Sequence, residues 1–113
     1  MNADVRSWTH VGSIDDIPRR GARCVRNGVM TIALFRTADD RVFALEDKCP
    51  HRGGPLSQGI VHDDCVTCPL HNWVISLKSG TALGADEGRT ATYPVLIRDG
   101  KIFLDISFNQ ASG

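Results

Sequence analysis

Between residues 22 and 45 short apolar-rich runs are separated by turn-forming residues, a pattern that predicts strands rather than helices. Residues 22–26 and 29–36 flank Asn27-Gly28, a two-residue hairpin signal because both positions tolerate positive φ. Thr37, Ala38, Asp39 and Asp40 then turn the chain into a third run over residues 41–45. Near the far end Tyr93, Val95 and Ile97 are expected on one face, and Ile102, Leu104 and Ile106 on another. Asp99-Gly100 between them predicts a second tight hairpin. Ser13, Ile14, Asp15 and Asp16 read as a capped turn or a single helical turn, which Pro18 keeps short. The expected fold class is antiparallel all-β.

Residues 46–84 interrupt this scaffold with glycines and with Pro50, Pro55 and Pro69. Residues 59–67 predict a small hairpin turned by His62-Asp63-Asp64. Residues 73–77 and 81–83 predict another around Ser79-Gly80. The arrangement is a base of paired strands carrying an insert of two loops at about residues 46–84. With no repeat or linker, residues 1–108 are expected to form a single domain. Residues 109–113 are small and polar and are expected to be a flexible C-terminal tail.

Thirteen Lys and Arg balance thirteen Asp and Glu, so the formal net charge is zero. Such a chain has no basic footprint for nucleic acid or an anionic membrane. The N-terminus has no apolar signal-peptide core, and no stretch approaches membrane-spanning length. A soluble, cytoplasmic protein is expected.

The chemistry lies in Cys49-Pro50-His51 and Cys68-Pro69-Leu70-His71, two pieces with sixteen residues between them. Each offers one thiolate and one imidazole from a loop. Together Cys49, His51, Cys68 and His71 make a Cys2His2 set able to hold a metal centre. Structural zinc uses the same donors. Zinc fingers, however, usually place both Cys in one knuckle and both His on a helix, and residues 72–90 have no helical apolar period. A Cys49–Cys68 disulfide fits poorly with a chain lacking a secretory signal and leaves the paired His unexplained. Cys24, in a predicted strand, and Cys65 read as small buried hydrophobes.

The C-x-H and C-x-x-H pairs, with the flanks CPHRGGPLSQG (49–59) and CPLHNW (68–73), resemble the Rieske family, in which two His replace two Cys on one iron of a [2Fe–2S] cluster. The resemblance covers essentially the whole chain. It implies a Rieske-type antiparallel β-sandwich or barrel base with a small cluster-binding subdomain of two loops. It also implies one cluster per chain, with Cys49 and Cys68 on the inner iron and His51 and His71 on the outer. In that setting the amides of Gly53 and Gly54 could donate to cluster sulfur, Pro50 and Pro69 would stiffen the loops, and Cys65 has a second reading as an outer-shell donor. Replacing two thiolates by neutral imidazoles takes the oxidised cluster from a formal charge of about −2 to about zero, which raises its potential. High-potential relatives add a loop-to-loop disulfide and Ser and Tyr hydroxyls just after the second His. Here Arg52 and Leu70 stand where those Cys would be, and Trp73 and Ile75 replace the two hydroxyl residues. A potential low in the Rieske range is implied.

Within the family, the runs GIVHDDCVTCPLHNWVISL (59–77) and GTALGADEG (80–88) look like the cluster-bearing small subunit of assimilatory NAD(P)H-dependent nitrite reductase. That resemblance implies an electron-transfer subunit of an oxidoreductase, not catalytic alone. Its partner would be a large subunit carrying FAD, sirohaem and a further iron–sulfur cluster, which reduces nitrite to ammonium in nitrate assimilation. The rival is a Rieske-type ferredoxin serving an aromatic-ring dioxygenase, for which a more acidic surface is expected. A scaffold protein with a structural metal site is the alternative of a different class. A catalytic Rieske oxygenase needs a longer chain with a 2-His-1-carboxylate set, and only His10 and His62 remain, both reading as surface residues. Asp86-Glu87 reads as a solvated acidic turn, with a docking patch as its alternative; Arg52 is similarly either exposed or steering.

Overall fold

The computed structural model describes residues 8–50, 54–69, 72–84 and 88–106. Among these are ten strands: β1 (Trp8–Ser13), β2 (Ala22–Asn27), β3 (Met30–Arg36), β4 (Val42–Glu46), β5 (Ile60–His62), β6 (Cys65–Thr67), β7 (Val74–Ser76), β8 (Thr92–Tyr93), β9 (Val95–Arg98) and β10 (Lys101–Asp105). All their pairings are antiparallel. Three sheets result, ordered β1-β10-β9, β2-β3-β4-β8 and β5-β6-β7. The first two make the base and the third belongs to the insert, so the fold is the all-β Rieske type the sequence predicts.

The strand β3 explains how base and insert are joined. Its interior residues Ile32, Ala33, Leu34 and Phe35 are all buried, so the strand is covered on both faces. Successive side chains leave a strand on opposite sides. Ile32 and Leu34 enter a core with Ile17, Val42, Ala44, Tyr93, Ile102 and Leu104, which fills the base. Ala33 and Phe35 enter a second core with Leu45, Leu56, Val61, Val66, Ile75 and Leu77, which underlies the insert. Burying the Phe35 side chain alone contributes about 1.5–3 kcal/mol. One strand therefore serves as a wall to both halves.

The two tight hairpins close by different turns. Arg98 pairs with Lys101, leaving Asp99-Gly100 as the loop, both with positive φ (+53° and +75°) as a type I′ turn requires. Asn27 pairs with Met30, so the other loop is Gly28-Val29 rather than the expected Asn27-Gly28. Gly28 alone takes positive φ there, at +63°, in the first loop position where a type II′ turn places glycine. The expected capped turn at Ser13 is a single 3-10 turn, Ile14–Asp16, closed by a reciprocal bond from the Ser13 N–H to the Asp16 carboxylate at 2.9 Å.

One expectation needs correction and another is met in reduced form. Tyr93, Val95 and Ile97 do not share one strand face: Pro94, which has no N–H for a ladder, separates β8 on the β4 edge from β9 in the other sheet. The hairpin expected over 73–77 and 81–83 is present in short form, through the antiparallel Ile75–Ala82 bridge and the Ser76 N–H and Leu83 N–H donating to the Thr81 and Val74 carbonyls at 2.9 Å each, and β7 also completes the sheet of β5 and β6. The strand β1 carries no alternation the sequence reveals, because its register slips between His10 and Gly12.

Candidate metal centre

Both cysteine-bearing loops are closed in the same way. The chain leaves β4 through Asp47, whose N–H donates to the Thr31 carbonyl at 2.9 Å, and reaches Cys49 two residues later. The Cys49 N–H donates to the Gly54 carbonyl at 2.7 Å. The Cys68 N–H, one residue beyond β6, donates to the Trp73 carbonyl, also at 2.7 Å. Each bond spans five residues, from 49 to 54 and from 68 to 73. Asn72, with φ +58°, supplies the reversal inside the second loop, a conformation Asn tolerates better than most residues.

Both thiols point into the core beneath the insert, where Cys49 is 1% exposed and Cys68 is 0% exposed. Neither forms a disulfide. Two unbridged thiols in one apolar core, on loops pinned by their own backbone, fit thiolate ligation of an inner iron, so the donor chemistry matches a [2Fe–2S] cluster on its cysteine side. The core wall there is apolar. Ile75 is fully buried in it, and Trp73 packs against it. The other two expected ligands, His51 and His71, lie outside the described residues, as do Arg52, Gly53, Leu70 and Asp86-Glu87.

Glycines let three chain segments meet around these loops. Gly59 follows the 3-10 turn Leu56–Gln58, and a Cβ there would stand 2.3 Å from the Thr67 carbonyl oxygen, so the returning first loop runs hard against the residue before Cys68. Gly88, with φ +137°, would place a Cβ 3.0 Å from Pro50 and 3.8 Å from the Trp73 ring. The end of the 80–88 run therefore meets both cysteine-bearing loops at once.

The remaining candidates fall away from that core. Cys24 is exposed, not buried as expected; its thiol donates to Asp47 Oδ2 at 3.3 Å. Loss of water around the sulfur, and secondarily the Asp47 carboxylate, raises the Cys24 pKa, although the Ser57 hydroxyl opposes the shift. Cys65 is half-buried, bonds Asp64 Oδ1 at 3.6 Å, and alternates with the core residue Val66. It thus projects from the strand face opposite the thiol-bearing core. Its pKa is raised first by burial and then by Asp64. His62 is half-buried and its Nε2 lies 2.6 Å from Thr67 Oγ1, whereas His10 is exposed beside the Phe103 ring.

Sequence reasoning missed Asp47. Its carboxylate accepts from the Ser57 N–H at 2.7 Å and the Ser57 hydroxyl at 2.8 Å. A carboxylate two residues before Cys49 was the available signal, but a partner ten residues away is beyond the local Asx-turn pattern.

Comparison with known proteins agrees with this geometry. A family model described as a Rieske-like [2Fe-2S] domain matches residues 7–105. The anthranilate 1,2-dioxygenase ferredoxin subunit of Burkholderia cepacia is 33% identical over 92% of this chain and 96% of its own. The 3-phenylpropionate/cinnamic acid dioxygenase ferredoxin subunit of Photorhabdus laumondii is 36% identical over 92% of this chain and 99% of its own. A solved structure provisionally named as an NADPH nitrite reductase small subunit superposes with a TM-score of 0.78 at 30% identity, covering 87% of this chain and 97% of that one. With two buried thiols on matched loops beneath a Rieske-type insert, the chain belongs to the Rieske-like [2Fe–2S] domain family, an electron-transfer module whose cofactor is a Rieske [2Fe–2S] cluster.

Proposed function

We propose that Cys49, His51, Cys68 and His71 hold the cluster, within one domain spanning residues 1–108, and that the chain is the electron-transfer small subunit of an NAD(P)H-dependent nitrite reductase. When bound, the cluster would supply one-electron transfer. The protein's part is to keep the cysteine side buried and the two loops at a fixed separation. Its partner in this reading is the large flavin- and sirohaem-bearing subunit, in the cytoplasm, reducing nitrite to ammonium. Among the described residues no helix is long and apolar enough to cross a membrane. The observation that carries the reading is the 80–88 run. It bears the sequence resemblance to nitrite reductase small subunits, and its Gly88 packs on both Pro50 and Trp73, beside the cluster loops where a partner-specific segment would act.

A second reading has its own support. The two curated relatives above are dioxygenase ferredoxin subunits and match the chain over nearly its full length. In that reading the same cluster serves a diffusing carrier and the partner is a terminal oxygenase. Co-purification of the tagged chain from native extract separates the two. Recovery of a large subunit with flavin and sirohaem absorbance supports the first, and recovery of a terminal oxygenase overturns it.

A further inference from the structure

We propose that Asp47 is a positioning residue for the cluster, fixing the first ligand loop and through it the separation of Cys49 from Cys68. The inference rests on Cys49 and Cys68 being cluster ligands. Asp47 stands two residues before Cys49, and Ser57 lies past the far end of the same loop. One carboxylate receives both the N–H and the hydroxyl of Ser57, at 2.7 and 2.8 Å, and so ties the loop's two ends together across ten residues. Bonds to an ionised acceptor are shorter and stronger than neutral ones. The Cys24 thiol donates to Oδ2 from the edge strand β2, and the Asp47 N–H is held by Thr31 in β3. The clasp is thereby anchored to two strands of the base.

Its effect reaches the second loop by contact. Ser57 sits in the turn whose exit is fixed by the Gly59 N–H donating to the Leu56 carbonyl at 2.9 Å. Gly59 then passes against the Thr67 carbonyl with no room for a Cβ, and Thr67 is bonded to Cys68. Where Asp47 holds Ser57 therefore decides how closely the first loop approaches the second. An ordinary turn-capping Asp bonds two residues on and would have no such reach.

The test uses purified, cluster-loaded protein and the variants D47N, D47A, S57A, S57T and C24S. Loss of visible absorbance is followed after adding an iron chelator, and midpoint potentials are taken by voltammetry. D47A and S57A should lose the cluster roughly tenfold faster or more, the usual scale for removing an outer-shell partner. S57T keeps the hydroxyl and should stay near wild type. D47N should shift the midpoint upward, because a negative charge two residues from Cys49 is removed. If D47A fails to assemble, S57A still removes only one of the bonds. Wild-type rates in S57A together with an unchanged midpoint in D47N would overturn the proposal alone. A wild-type protein lacking iron and sulfide would overturn the ligand assignment with it.

Discussion

Cys68 and Trp73 are joined by a 2.7 Å bond from the cysteine N–H to the tryptophan carbonyl, so the closure of the second loop also fixes the residue that begins the apolar wall beside it. The wall continues with Ile75, which is fully buried and has no donor to offer. Hydroxyl donors at these two positions would stabilise the reduced cluster. Without them the midpoint at pH 7 should lie near or below about −100 mV, toward the lower limit of the Rieske range. Direct voltammetry measures it, and a value above about +100 mV is incompatible with a wall that lacks those two hydroxyls.

Metal content and ligand variants test the donor set. The protein should hold about two iron and two acid-labile sulfide per chain, with little zinc. Cys49→Ser and Cys68→Ser should each abolish the visible spectrum and destabilise the insert, since metal binding is coupled to folding of the loops. Cys24→Ser should keep the spectrum, because Cys24 is exposed and faces Asp47 rather than the thiol-bearing core. Loss of the cluster in Cys24→Ser, with the cluster retained in Asp47→Asn, would mean the ligands are wrongly assigned.

Glycine substitutions should report on how tightly the insert is closed. At Gly80, with φ +74°, a Cβ would stand 2.3 Å from the Thr90 carbonyl oxygen, and at Gly59 the same distance from the Thr67 carbonyl oxygen. Those contacts are with backbone and cannot be relieved by rotating a side chain. Gly80→Ala and Gly59→Ala should each cost on the order of 1–3 kcal/mol or more in urea unfolding. Gly28→Ala meets nothing within 4 Å and suffers only its positive φ, so it should cost less than either. Equal losses at all three sites would contradict the contact argument.

Acid stability should depend on Asp40. Hydrogen bonds from Arg19 and then Arg36 hold its carboxyl at about 2, below its ordinary value of 3.8. A folded-state value below the unfolded one means the stabilisation is fully present above 3.8 and is lost as pH falls toward about 2. The stability difference between wild type and Asp40→Asn, measured by urea unfolding with circular dichroism, should therefore be largest near neutrality. It should shrink over that window and be weaker in high salt, because the Arg19 pair is exposed. A difference that stays constant down to pH 2 would rule out the carboxylate as its source.

The sequence made some of these features plain and hid others for physical reasons. Asp99-Gly100 announces its hairpin because both residues accept the positive φ that the turn needs, a purely local fact. Asn27-Gly28 looks equivalent, yet the strand pairing moves the loop one residue on to Gly28-Val29, and pairing is set by the burial of β3 rather than by the turn. Cys24 was misread because a small apolar side chain carries no signal of which face it takes. Its exposure follows from β2 being an edge strand. Cys49 and Cys68 stood out since their spacing is itself chemical information, and the fold buries both in one core. Asp47 was not, because its meaning depends on Ser57, and only the folded loop brings the two together.

The doubly covered strand β3 limits how modular this protein can be. Ala33 and Phe35, which floor the cysteine core, lie in a strand whose alternate residues Ile32 and Leu34 hold the base together. Cutting out residues 46–84 as a miniature electron carrier would remove that floor and open the thiols to water and oxidants. Grafting the two loops onto another scaffold would have to transplant a strand from outside them as well.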